Sequence, residues 1–288
     1  MSIRERLIHI HCCRGVTWSV LKRIYDDDTT LEKVFGYTMF DLKKRFLLKE
    51  KQVEVFFYDL HHYSTNNIIA ALECRKIATT TIFDENYPAL LRQIYDPPWV
   101  LYGIGNFSLI HTKQIGVVGT RYPTKLGEKS IEKILPSLID NQWTIVSGLA
   151  KGIDSLAHEQ TIAHNGYTVA VLGSGLQYPY PPSNLELFQE ICKNHLVISE
   201  YPPNVPPAKW QFPARNRIIS GLSKAILVVE AQERSGSLIT ADQALEQGRD
   251  VYAVPGPIFS PKSDGTNFLI QQGAKLIRSA EDILIENL

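Results

Sequence analysis

The chain has 288 residues, 44% apolar and 21% charged, with 30 basic side chains against 30 acidic ones. This composition excludes a disordered chain, no stretch approaches the ~20 continuous apolar residues of a membrane span, and a formal net charge of zero removes any bulk attraction to nucleic acid. The N-terminus Met1-Ser2-Ile3-Arg4-Glu5-Arg6 enters a mixed-charge helical pattern without a signal-peptide core, so the expected address is the cytoplasm, with Cys12, Cys13, Cys74 and Cys192 as reduced thiols.

Residues 1–80 carry apolar side chains at helical spacing, as in Leu7, Ile8, Ile10 or Leu42, Phe46, and no proline precedes Pro88. They predict a small helical domain. Asp26-Asp27-Asp28-Thr29-Thr30 offers an N-cap for a helix through Leu31, Val34 and Phe35, or simply a solvated turn, and Ser64-Thr65-Asn66-Asn67 can cap a later helix. His9, His11, Cys12 and Cys13 suggest a metal site, but on a helix His9 and Cys13 share a face without His11. That leaves too few ligands, and the expectation is core packing with no metal. Residues 81–112 form a connector, extended where Pro97-Pro98-Trp99-Val100-Leu101-Tyr102-Gly103 forbids helix.

Beyond residue 113, short apolar runs alternate with helical periods. Ile115–Gly119, Trp143–Ser147, Thr168–Gly173, Leu196–Ser199, Ala225–Glu230 and Val251–Val254 read as strands, with a seventh at Lys275–Ile277. One intervening helix runs through Ile131, Ile134, Leu135, Leu138 and Ile139, with a kink expected at Pro136. Strands that lack polar alternation are buried on both faces. The architecture predicted for residues 81–288 is therefore α/β, a doubly wound, mostly parallel sheet that binds its ligand outside the carboxyl ends of its strands.

Those ends carry Gly119-Thr120-Arg121, then Ser147-Gly148-Leu149-Ala150-Lys151-Gly152, then Gly173-Ser174-Gly175. Later ends lead to Phe212-Pro213-Ala214-Arg215-Asn216-Arg217 and to Arg234-Ser235-Gly236-Ser237. Small residues before a helix let amide N–H groups point at an anion, and the recurrent cations collect on one rim. Dinucleotide and P-loop fingerprints do not fit: Tyr178 stands where a third glycine belongs, and Gly148-Leu149-Ala150-Lys151 lacks the P-loop spacing. No cofactor is expected.

The ordered set Gly119-Thr-Arg121, Ser147-Gly-Leu-Ala-Lys151-Gly-Ile-Asp154 with Ala157-His158, Gly173-Ser-Gly175 before Tyr178-Pro179, Phe212-Pro-x-Arg-Asn-Arg, Ser235-Gly-Ser-Leu-Ile-Thr and Gly248-Arg-Asp-Val-Tyr-Ala-Val-Pro-Gly256 closely resembles the DNA-processing protein A (DprA/Smf) family over about residues 80–280. The resemblance implies a SAM-like N-terminal domain on residues 1–80 and an extended Rossmann-like domain that binds single-stranded DNA. It further implies a homodimer that protects incoming DNA and loads the RecA recombinase during natural transformation, with a single-strand-binding protein as a further partner. Many members carry a C-terminal winged-helix domain; this chain reads to Leu288, and the expected form lacks it. By the resemblance Arg121 and Lys151 contact DNA. Arg215 and Arg217 diverge by about 200° on a helix, so one is expected to face the groove while the other holds the loop. Leu238 and Ile239, with Phe268, Leu269 and Ile270, are the expected dimer surface, or else are buried within one chain.

Alternatives remain for individual residues. Asp154 and His158, at i and i+4, have the spacing of an acid–base pair, but an Asp in the first helical turn with His158 tied to it is the simpler reading. Tyr178 and Tyr180 either stack bases or stiffen a covering loop, and Trp210 and Phe212 form either a base platform or an apolar plug. The competing function is a Rossmann-like nucleotide-binding enzyme such as a nucleoside-monophosphate phosphoribohydrolase. Against it, the sequence offers no nucleophile–base pair, and its basic residues are spread over several loops as suits a polymer, so the expectation is a binding protein and not an enzyme.

Overall fold

Hydroxyl side chains start most helices of the N-terminal region. Ser2 and Glu5 form a reciprocal capping box at α1 (Ile3–Cys12), and Thr17 caps α2 (Trp18–Asp27). Thr38 and Asp41 cap α3 (Met39–Phe46); α4 spans Glu50–His62, and Ser64 caps α5 (Thr65–Cys74) by accepting the Asn67 N–H at 3.2 Å. The computed structural model, which describes residues 1–287, divides into two units, Met1–Tyr87 with Asp96–Tyr102, and Pro88–Tyr95 with the chain from Gly103 onward.

In the first unit Leu7, Ile10, Leu21, Leu42, Phe46 and Phe56 are buried together with His9. His9 shares a 2.7 Å hydrogen bond with Thr65, and His11 and Cys12 lie against the Tyr102 hydroxyl. The acidic run does not open a helix. Asp28 instead accepts the N–H groups of Thr30, Glu32 and Lys33, which hold its carboxyl below the usual range, and only a 3-10 turn over Lys33–Gly36 follows. Two strands lie outside those that the sequence predicts: β1 (Ala78–Thr81) at the end of the stretch read as helical, and β2 (Val100–Gly105) in the connector, which is expected to be extended. The four residues of β1 are Ala-Thr-Thr-Thr, too polar to register as an apolar run, and β2 follows two prolines.

The second unit contains α6 (Ala89–Arg92) and then a regular alternation: β3 (Gln114–Gly119), α7 (Lys125–Asp140), β4 (Thr144–Ser147), α8 (Ile153–Ala163), β5 (Thr168–Leu172), α9 (Leu185–Asn194) and β6 (Leu196–Ser199). It continues with α10 (Gln211–Leu222), β7 (Ala225–Val229), α11 (Gly236–Glu246), β8 (Asp250–Ala253), α12 (Asp264–Gln271), β9 (Lys275–Leu276) and α13 (Glu281–Leu284). Every strand expected beyond residue 113 is present within a residue or so. Helix α7 runs on through Pro136 without a break.

The strands lie in the order β6-β5-β4-β3-β7-β8-β9, and each adjacent pair is parallel. Side chains alternate between the two faces. Ile115, Val117, Ala225, Leu227 and Val229 pack with Ile131, Ile134 and Leu138 of α7, Ile153 and Ala157 of α8 and Ile283 of α13. From the other face Ile219 of α10 and Ile226 press on Gly116. This is the doubly wound, mostly parallel sheet with a helical N-terminal region that the apolar runs predict. Its winding reverses between β3 and β7, because the chain steps outward from β3 to β6 and then returns to β7 on the opposite side of β3. At such a reversal the flanking loops separate and leave a crevice.

Candidate nucleic-acid interface

A cleft of about 650 Å³ opens at that reversal. Its walls come from Gly119, Thr120, Arg121 and Tyr122 after β3, Phe212, Arg215 and Asn216 of α10, and Gln232 with Ser235, Gly236 and Ser237 after β7. Gly119 is required here by close approach, since a Cβ would collide with the Val229 carbonyl and with Ile153. The loop is pinned by Thr120, whose N–H donates to the Glu230 carbonyl at 2.7 Å and whose own carbonyl accepts the Ile153 N–H at 3.1 Å. Arg121 then projects as an exposed cation on the lip.

Helix α11 directs an unsatisfied end at the same space. Its N-cap Ser235 makes no side-chain capping bond, the Ser235 hydroxyl is buried without a hydrogen-bond partner, and nothing lies within 4 Å of a Cβ placed on Gly236. A helix N-terminus with free N–H groups and about half a positive charge is an anion site. Aromatic surface lies alongside: the Phe212 and Tyr180 rings both line the cleft, 5.4 Å apart between centroids. Lys209, exposed, adds a second cation. Cations, amide donors and a ring pair in one open cleft suit a ligand with phosphates and unstacked bases.

The two arginines of α10 are both buried, contrary to the expectation that one is displayed. Arg215, 5% exposed, forms the cleft floor, where its Nη1 donates to the Gly148 carbonyl at 2.6 Å and to the Val171 carbonyl. Arg217 pairs with Glu200 at 2.6 Å. Asp154 and His158 are not joined. Asp154 accepts the Gly148 and Ala150 N–H groups at 3.1 and 3.4 Å and so shapes the turn that carries Lys151; burial pushes its carboxyl up, and Arg215 is the largest opposing influence. His158 turns to Thr168 at 2.6 Å.

The expected residues other than Arg217 fall into three groups. Gly119, Thr120, Arg121, Phe212, Arg215, Asn216, Ser235, Gly236 and Ser237 meet in the cleft. Ser147, Gly148, Lys151 and Gly152 lie beside it: Ala150 lines the wall, the Ser147 hydroxyl is taken by the Val117 carbonyl at 2.7 Å, and Lys151 is exposed outside the lining. Gly152 has φ +80°, and a Cβ there would strike the Thr120 carbonyl, so it locks the lysine turn against the arginine loop. Gly173, Ser174 and Gly175 are buried, with the Gly175 N–H donating to the Val205 carbonyl at 2.8 Å. Trp210 stands against Tyr201, outside the lining, and Tyr178 is exposed elsewhere. Tyr122, Lys209, Gln232 and Thr240 also line the cleft and stand outside the expected set, although Lys209 sits directly before the Trp210–Phe212 segment.

The family model described as DNA recombination-mediator protein A matches residues 78–287. The chain belongs to that family. It is 49% identical over 220 residues to the DNA processing protein DprA of Bacillus subtilis, covering 76% of this chain and 74% of the relative. With DprA of Streptococcus pneumoniae it is 49% identical over 214 residues, 74% of this chain and 76% of that one. The X-ray structure of the S. pneumoniae DNA processing protein A superposes on 99% of this chain and 98% of its own, with TM-score 0.83 and 38% identity. A Helicobacter pylori DNA processing protein A structure, described for its single-stranded DNA binding mode, covers 74% of this chain and 97% of its own at TM-score 0.67 and 31% identity. The family match includes every loop of the cleft and the α11–α12 region. There Ile239 is 38% exposed and Phe268 also exposed, Leu238 and Ile270 are half-buried, and Leu269, 3% exposed, packs inside the chain.

Proposed function

We propose that this chain is a single-stranded DNA-binding protein of the cytoplasm that protects incoming DNA and helps to load the RecA recombinase during natural transformation, acting as a homodimer. The observation that carries the reading is the cleft at the β3/β7 reversal, where exposed Arg121 and Lys209, the Tyr180–Phe212 ring pair and the uncapped start of α11 converge. Phosphates suit the first and last of these, and the faces of unpaired bases suit the rings. Duplex DNA hides those faces. The DNA-processing names of the relatives and the single-strand binding described for the H. pylori protein support the same conclusion. A RecA partner and a single-strand-binding protein partner rest on the family resemblance alone.

A nucleotide-cleaving enzyme of the same fold is the competing reading. The cleft holds one carboxylate, Asp154, and its oxygen is taken up by two main-chain N–H groups, so it is poorly available as a base. Mobility-shift titrations with single- and double-stranded oligonucleotides over a salt series test the binding reading. Single strands bind preferentially, with log K falling by about 0.7 per decade of salt for each phosphate neutralised. Equal affinity for duplex, or no salt dependence, refutes it. Release of free base from a nucleoside monophosphate would establish the enzyme instead.

A further inference from the structure

A second depression, about 480 Å³, opens across the β3–α7 loop from the first. Its walls are the first turns of α7, the segment Val254–Pro257 after β8, and Ile277 with Arg278 after β9. Of its four cations, Lys125 pairs with Glu128 at 3.0 Å, whereas Lys129, Lys133 and Arg278 form no ion pair within 4 Å among the described residues. The carboxylate in its lining, Glu230, is held by the N–H and hydroxyl of Thr124 at the start of α7. Asp282 and Glu281 of α13 feel Lys133, and Asp282 also Arg278, but Asp282 is engaged by the Arg278 and Ser279 N–H groups. The net character facing solvent is cationic.

Apolar side chains flank it without cover. Phe259 is 92% exposed, Ile258 78%, and Tyr122, on the loop between the two depressions, 73%. A ring displayed so fully adds nothing to the core, and beside a cationic hollow it is placed to stack on a base. Lys262 donates to the Tyr122 carbonyl, tying the segment that carries Phe259 to the loop that carries Arg121.

We propose that the second depression extends the path of the single strand: DNA leaving the first cleft crosses Tyr122, lays further phosphates on Lys129, Lys133 and Arg278, and stacks a base on Phe259. The inference rests on the single-strand binding proposed above. Its test compares oligothymidylates of roughly six and twenty nucleotides, lengths spanning one and several contact sites. The triple variant Lys129→Ala, Lys133→Ala, Arg278→Ala should bind the short strand as the unmodified protein does. It should bind the long strand at least tenfold more weakly, with a salt slope smaller by about 2. An independent readout is Phe259→Trp, whose fluorescence should be quenched by the long strand and not by the short one. Unchanged long-strand binding, equal losses at both lengths, or an indole indifferent to length overturns the extended path. Failure of the unmodified protein to bind any single strand refutes the underlying function instead.

Discussion

Arg215 and Arg121 carry the same charge in opposite circumstances. The first is buried and satisfies the carbonyls of Gly148 and Val171, whereas the second stands exposed on the lip of the cleft. Arg215→Ala should therefore cost at least about 2 kcal/mol in denaturant unfolding, because two buried acceptors lose their donor. Arg121→Glu should leave the melting point nearly unchanged and weaken single-strand binding roughly tenfold or more, the size of a lost charge-assisted contact; loss of folding at Arg121 would make it structural. His158 predicts a pH effect. The Thr168 hydroxyl donates to the Ile145 carbonyl, so His158 must donate from Nδ1, and its buried Nε2 has no partner. A second proton has no acceptor there, and burial pushes the imidazole down from 6.5 to about 3. Above pH 6.5 the group is neutral whether folded or not. As the pH falls from 6.5 toward 3, the unfolded chain takes up a proton that the fold refuses, and stability declines by at most about 1.4 kcal/mol per unit. Urea titrations at about pH 7 and pH 5 should show this decline, smaller in His158→Asn. An identical decline in the variant excludes His158 as its source.

At the scale of elements, the uncapped start of α11 is open to direct test. Ser235→Asp supplies a capping acceptor and a negative charge where the helix favours both, so the melting point should hold or rise while single-strand binding falls severalfold. Ser235→Asn, a cap without charge, should bind nearly as the unmodified protein; equal losses in both would mean that shape and not charge is at issue. This contrast between element and site also marks what could be read from residues alone. The strands β3 to β8 are short apolar runs whose burial on both faces follows from composition, and each is legible. Strand β1, three threonines after an alanine, carries no such pattern. Glycines and hydroxyls pointed to the cleft loops, but the fate of each charge depended on partners distant in sequence. Arg215 meets carbonyls 67 and 44 residues away, and no spacing within α10 announces them.

For the whole molecule, pairing is the expectation still to be measured. Leu269 is inside the chain and offers little to a partner, whereas exposed Ile239 and Phe268, with half-buried Leu238 and Ile270 nearby, remain available. Ile239→Glu should then yield a folded monomer with weaker binding to long strands, since two linked clefts raise the effective concentration of the second contact. Light scattering decides first: a strict monomer at about ten micromolar, with and without oligonucleotide, removes the dimer and its avidity together.

The burial of Arg215 has an electrostatic side as well. Carbonyl oxygens are partial negative charges, and two of them, at Gly148 and near the end of β5, lie beneath the cleft that is proposed to receive phosphates. Left bare, they would repel the ligand from below. With the guanidinium laid across them, the floor turns from repulsive to attractive, and a residue that need never touch DNA sets the sign of the surface on which DNA would rest.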